Sequence, residues 1–178
     1  MRDSGYPIAW ELLRHSSVPV IAAVNGAAIT GGLALVTAAD FAIASERATF
    51  CDNELLVIGF GNAQLMAPLH HRVGSAWARE LSLTTAFIDA DTALRIGLVN
   101  HVVRHEDLLP RALALATRVA EKDRAAVAAM RREWDAIAGL PLETARQLHD
   151  NFYEPFRNAP MAFNDESRVR ALMERPRQ

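Results

Sequence analysis

The sequence has little cysteine and no excess of charge of either sign. Cys51 is its single cysteine, which excludes a disulfide within the chain and is typical of a reducing compartment. Lys and Arg number 19 against 21 Asp and Glu, and the net charge is −2. That balance provides no positive surface of the kind that binds nucleic acid or anionic membranes.

Long apolar runs and metal-ligand spacings are also missing. The most apolar stretch, residues 18–39, is interrupted by Asn25, Thr30 and three glycines, whereas a membrane span needs about 20 mainly apolar residues. The first residues lack the basic start and apolar run of a secretory signal. We therefore expect a cytoplasmic protein that binds neither membrane nor nucleic acid and contains no metal or cofactor.

Strands and helices alternate in the first part of the chain. Continuous apolar or β-branched runs predict strands at residues 18–24, 41–44, 48–51 and 98–103, the first of them buried on both faces. Helical spacing predicts helices at residues 7–15, 33–39, 64–71, 75–84 and 89–96, with a glycine-punctuated loop at residues 56–62. This alternation is typical of a layered α/β fold.

After Glu106 the pattern is purely helical. Apolar residues at helical spacing predict helices at residues 108–122, 123–137, 142–156 and 165–174. No flexible linker separates the two parts, so we predict one domain over residues 1–178, with an α/β portion at 1–104 and a helical portion at 105–178.

Gly31 and Gly32 precede the buried helix predicted at residues 33–39. Glycine lets a ligand approach the backbone closely, and the first amides of a helix have no internal acceptor. Such amides can stabilise a developing negative charge. The alternative is that two small residues simply let the helix pack closely on a strand.

Glu54 is an acidic residue among apolar neighbours. Phe50 and Cys51 precede it, and residues 55–58 follow as an apolar run. A carboxyl group in such surroundings has a raised pKa and suits general acid or base catalysis. The alternative is a loop glutamate that faces water.

Several segments together resemble the enoyl-CoA hydratase/isomerase family, also called the crotonase family. The resemblance rests on PVIAAVNG at residues 19–26, ITGG at 29–32, ADFAIA at 39–44, NE at 53–54, ALRIGLVNHVV at 93–103 and ALMERP at 171–176. It covers nearly the whole chain, and the combination is far more specific than any one segment.

The resemblance implies a fold, a substrate class and site residues. It implies a β/α spiral core of the ClpP/crotonase type, a helical C-terminal part that forms a homotrimer or a dimer of trimers, and acyl-CoA thioester substrates. Family members polarise the thioester carbonyl with two backbone amides, of which one corresponds to Gly31. The two glutamates of the family's hydratases correspond to Ala34 and Glu54.

The chain departs from the family pattern at three places. Ala34 replaces the first glutamate, and residues 61–66, GNAQLM, replace a glycine-rich loop. The segment that supplies the family's early strands and first oxyanion amide has no counterpart before residue 6, so we expect an N-terminally truncated member.

Isomerisation of a 3-enoyl-CoA to a 2-enoyl-CoA needs a single base, so Glu54 with the Gly31 amide favours that reaction. One alternative is a 2-enoyl-CoA hydratase of fatty-acid β-oxidation. The other is a truncated, catalytically impaired member that serves to oligomerise.

Overall fold

The protein, described here by a computed structural model of residues 6–157, alternates short strands with helices up to Val103 and is helical beyond it. The strands are β1 (Ile21–Val24), β2 (Ala27–Ile29), β3 (Phe41–Ser45), β4 (Thr49–Cys51), β5 (Ile88–Asp89) and β6 (His101–Val103). The helices are α1 (Tyr6–Arg14), α2 (Gly31–Ala38), α3 (Glu54–Val57), α4 (Ala63–Thr84), α5 (Ala90–Arg95), α6 (Leu108–Ala120), α7 (Arg124–Ile137) and α8 (Leu142–Tyr153).

The strands form two small sheets. The first sheet has the order β1-β3-β6 and is parallel throughout. In the second, of order β2-β4-β5, β2 and β4 are parallel while β5 runs antiparallel to β4. Consecutive strands β1 and β2 thus enter different sheets, and the chain repeats this alternation with β3 and β4.

The main core is formed where α2 and α4 pack against these sheets. Leu33 and Phe50 are fully buried within it, as are Leu65 and Leu69 of α4. Burying one such side chain contributes about 1.5–3 kcal/mol. Arg72 of α4 adds hydrogen bonds to this packing, because its guanidinium donates to the backbone oxygens of Ala39 and Leu98.

Most predicted elements are confirmed within a few residues, and local capping explains several boundaries. The side chain of Asp89 accepts a hydrogen bond from the Thr92 N–H at 2.8 Å and begins α5. Gly97 follows α5 with a φ of 81°. Gly74, with a φ of 77° and a ψ of 169°, breaks the α4 segment where two separate helices were predicted.

Several predictions for the strands were wrong. β1 begins at Ile21 rather than at Val18, and it is not buried on both faces because Ala23 is exposed. β1 lies at the edge of its three-stranded sheet, so within the described residues it has a neighbouring strand on one side only. β6 begins at His101 rather than at residue 98. The short strands β2 and β5 were not predicted, nor was α3, whose end overlaps the loop predicted at residues 56–62.

The chain divides into two compact units, of which the first ends at Val127 and the second begins at Ala128. Within the second unit, the His149 ring stacks on Tyr153 and its Nδ1 lies 2.5 Å from the Glu133 carboxylate. The helix predicted at residues 165–174 and the family-like segment at 171–176 lie outside the described residues. None of the helices described is both long and apolar enough to cross a membrane.

Candidate active site

The carboxyl ends of β2 and β4 meet at one edge of the second sheet. The two strands are parallel, with Ile29 opposite Cys51. Beyond these strands, the Thr30 N–H donates a hydrogen bond of 2.9 Å to the Cys51 oxygen. The segments that carry Gly31 and Glu54 therefore leave the sheet side by side.

Gly31 is the first residue of α2, a helix packed in the core. Its N–H lies in the first turn, where a helix has no internal acceptor for its amides. Thr30 precedes it with a φ of 47° and a ψ of −97°, an unfavourable backbone conformation for a β-branched residue. The chain thus turns sharply from β2 into the helix, which presents its positive end at this edge of the sheet.

Glu54 opens the short helix α3 and is only 4% exposed. Its Oε2 accepts a hydrogen bond of 2.5 Å from the backbone N–H of Asn62. Glu54 therefore does not point into bulk solvent. Its orientation toward a cavity bordered by the Gly31 amide stays a prediction.

The surroundings of Glu54 raise the pKa of its carboxyl above the usual value. Burial is the largest cause, since it disfavours the ionised form, and the negative charge of Asp52 adds to it. The hydrogen bond from Asn62 acts in the opposite direction and lowers the pKa. A carboxyl group with a raised pKa exchanges protons more readily near neutral pH, which suits an acid–base catalyst.

A side-chain hydrogen bond joins the two segments of the site. The Thr30 hydroxyl donates to Oδ1 of Asn53. Thr30 directly precedes Gly31 and Asn53 directly precedes Glu54, so this bond holds the two candidate residues' segments together. Both partners lie in segments that resemble the family, but the bond between them was not predicted.

Two of the three departures from the family pattern, Ala34 and the segment at residues 61–66, have different structural consequences. Ala34 is 1% exposed and places a methyl group where the resemblance implies a glutamate. The segment at residues 61–66 still supplies a backbone donor, because the Asn62 N–H contacts Glu54. The Asn62 side chain also accepts from the Gln64 N–H at 2.9 Å and caps α4.

Sequence reasoning missed a second buried carboxylate, Asp52, which is 1% exposed. Its Oδ1 accepts from the Glu54 N–H at 3.1 Å, and its Oδ2 accepts from the Ser82 hydroxyl at 2.6 Å. An acidic residue at the end of an apolar strand, two residues before a short helix, was the available signal. Nothing in the sequence links it to Ser82, 30 residues away.

A cleft of about 660 Å³ lies elsewhere in the first unit, between the β1 segment and α6. Its lining is mainly apolar and includes Val18, Ile21 and Leu113 but neither Gly31 nor Glu54. Among residues 6–157, no group of three or more His, Cys, Asp or Glu side chains could hold a metal ion.

Comparisons with known proteins all point to one family. The profile of the enoyl-CoA hydratase/isomerase family matches residues 3–170. A crotonyl-CoA hydratase of Syntrophomonas wolfei is 42% identical over 121 residues, which cover 66% of this chain and 45% of the relative.

Two solved structures have the same fold over most of this chain. An enoyl-CoA hydratase from Bacillus anthracis matches with a TM-score of 0.84 and 29% identity, over 90% of this chain and 65% of that one. A monofunctional enoyl CoA isomerase from M. smegmatis matches with a TM-score of 0.72 and 35% identity, over 81% of this chain and 68% of that one.

The chain thus spans about half to two-thirds of the length of these proteins. The match nevertheless extends from the first strand through the candidate site into the C-terminal helices. The crotonase-type fold is therefore confirmed, and the chain belongs to the enoyl-CoA hydratase/isomerase family.

Proposed function

We propose that this chain acts on acyl-CoA thioesters and moves the double bond of a 3-enoyl-CoA to the 2-position. The observation that carries the proposal is the contrast between positions 34 and 54. Glu54 is a buried carboxyl group with a raised pKa, whereas Ala34 has no group that could transfer a proton or orient water. Asp52 does not fill that role, because both of its oxygens are held by protein donors.

In the proposed reaction the thioester oxygen accepts a hydrogen bond from the Gly31 N–H. Glu54 removes a proton from C2, and the electron pair of that bond delocalises into a dienolate whose charge rests on the thioester oxygen. Glu54 then returns the proton to C4. The double bond now lies between C2 and C3, the carbonyl is restored, and no atom is gained or lost.

Hydration of a 2-enoyl-CoA is the second candidate. It is favoured by the relatives' names, such as the crotonyl-CoA hydratase that is 42% identical to this chain. Hydration requires a group that positions water in addition to the proton donor. The M. smegmatis isomerase, at 35% identity, supports the reaction that needs a single base.

The test is the ratio of the two activities in the same preparation. We expect isomerisation of a 3-enoyl-CoA to be faster than hydration of a 2-enoyl-CoA. Ala34→Glu restores a second carboxyl group and should raise hydration relative to isomerisation. Ala34→Gln is the matched control, because it adds nearly the same volume at this buried position but no acid.

Three outcomes would change the assignment. A wild-type chain that hydrates faster than it isomerises contradicts the single-base mechanism. Equal effects of Ala34→Glu and Ala34→Gln mean that an acid at position 34 adds nothing. A folded chain that turns over neither substrate contradicts the proposed activity and leaves the oligomerising role as the alternative.

A further inference from the structure

Asp52 is a buried carboxylate that the proposed reaction does not use. It lies between β4 and α3, 1% exposed. Both of its oxygens accept hydrogen bonds, one from the Glu54 N–H and one from the Ser82 hydroxyl. Acceptance at both oxygens is the pattern of an ionised carboxylate. A charge in the interior is costly unless such donors satisfy it.

The two hydrogen bonds connect α4 to the backbone of Glu54. Ser82 lies near the end of α4, and Glu54 is the first residue of α3. Asn53, at the N-cap position of α3, makes no side-chain capping bond. Asp52 therefore supplies the acceptor that a capping side chain would supply to the first turn of the helix.

Asp52 is also the charged side chain that acts on the Glu54 carboxyl within the described residues. β2, α2 and the rest of α3 contain no titratable side chain, and the thiol of Cys51 in β4 is not among the groups acting on Glu54. The titratable side chains of α4, none of which is among the groups acting on Glu54, are His70, His71, Arg72, Arg79 and Glu80. Arg72 is directed to backbone oxygens of Ala39 and Leu98 instead.

We propose that Asp52 is a positioning residue for Glu54. It holds Glu54 in place through the backbone N–H, and its charge keeps the Glu54 carboxyl protonated to higher pH than an uncharged neighbour would. The inference rests on the proposed function, in which Glu54 is the base.

The decisive variant is Asp52→Asn, which removes the charge but keeps an oxygen that can accept from the Glu54 N–H. Without the neighbouring anion, Glu54 loses its proton more easily. Because the base acts in its ionised form, the acid limb of the pH profile of kcat/KM should move to lower pH. A purely structural role would lower the rate or the stability without moving that midpoint.

Asp89→Asn is the matched control. It makes the same chemical change on β5, the strand paired with β4, where the carboxylate caps α5 at the surface. Asparagine is an equally good capping residue, so this variant should leave the midpoint unchanged. If Asp52→Asn does not fold, Asp52→Ser is a second uncharged variant whose hydroxyl can still cap α3.

A measurement that does not depend on turnover separates this inference from the proposed function. In protein with 13C-labelled glutamate carboxyl groups, the Glu54 signal is the one lost in Glu54→Gln. Its titration midpoint should fall in Asp52→Asn and stay constant in Asp89→Asn. An unchanged midpoint overturns the role of Asp52 even if the chain is an active isomerase. A lowered midpoint in a chain without activity supports the coupling and contradicts the proposed function.

Discussion

Each sheet contains a parallel strand pair, β1 with β3 in the first and β2 with β4 in the second, but different side chains follow the two pairs. In the first sheet, β3 ends at Ser45, whose hydroxyl lies 3.0 Å from Nδ1 of His105 just beyond β6. In the second sheet, β4 is followed by two buried carboxyl groups, Asp52 and Glu54. Both strand ends are polar, yet acidic groups are buried only after the second.

This difference favours the end of β4 as the site of the proposed chemistry. A buried hydroxyl with a partner costs little, because the hydrogen bond replaces the one lost to water. Burial and the Asp52 charge both disfavour the ionised form of Glu54. Such an arrangement is typical of functional sites, where perturbed acids are concentrated.

The largest effects are expected from two variants, Glu54→Gln after β4 and Ser45→Ala at the end of β3. The first should affect activity and the second stability. Glu54→Gln should reduce isomerisation by about 10²–10⁴-fold, the usual contribution of a positioned acid–base group. Its amide oxygen can still accept from the Asn62 N–H, so the fold should persist. Ser45→Ala should leave the rate per folded molecule unchanged and lower the free energy of unfolding by about 1–3 kcal/mol.

Turnover of a 3-enoyl-CoA and urea unfolding measure these two effects. The proposed difference between the two strand ends is contradicted if Ser45→Ala loses as much activity as Glu54→Gln at equal folded fraction. Full activity in Glu54→Gln would contradict it as well.

Much of the fold could be predicted from the chain because local signals agree with the final packing. The α2 helix follows from an apolar segment behind two glycines, and α5 lies between a capping Asp89 and Gly97. The strand β2 has three residues and no pattern of its own, so only its pairing with β4 defines it. The exposure of Ala23 was not predictable, because an apolar run does not reveal how many of its faces are covered.

The candidate site was only partly predictable. Glu54 and Gly31 follow from the resemblance. The apolar residues before Glu54, Phe50 and Cys51, are buried as expected, but the apolar run at residues 55–58 is exposed and therefore does not explain the burial of Glu54. The bonds from Ser82 to Asp52 and from Thr30 to Asn53 span 30 and 23 residues, and only tertiary structure brings such partners together. The trimeric state, which sedimentation would measure, and the cytoplasmic location stay predictions.

A smaller effect should come from removing the hydrogen bond between Thr30 and Asn53, which joins the segments that follow β2 and β4. Thr30→Val removes the hydroxyl and keeps the shape, while Asn53→Ala removes the acceptor. In a double-mutant cycle of unfolding free energies, we expect a coupling of about 0.5–1.5 kcal/mol, the usual contribution of one hydrogen bond. A coupling of zero would mean that the bond does not hold Gly31 and Glu54 together.

The smallest effect is a pH dependence of stability that comes from Glu54. Its pKa is higher in the folded than in the unfolded chain, so above its ordinary value of 4.5 the unfolded state binds fewer protons. Stability contributed by Glu54 is therefore present at low pH and is lost as pH rises through the folded pKa. Urea midpoints measured across this range should fall less in Glu54→Gln than in the wild type, and parallel curves would contradict the raised pKa.

Because Cys51 is buried, the rate at which a reagent modifies its thiol measures the opening of the site. Its Sγ–H donates to the Thr85 oxygen at 3.2 Å, and burial followed by the nearby Asp52 charge raises the pKa of the thiol. Reagents that modify thiols require the thiolate and access to it. Since the chain has no second cysteine, the rate of labelling in the native protein reports how often β4 separates from its surroundings.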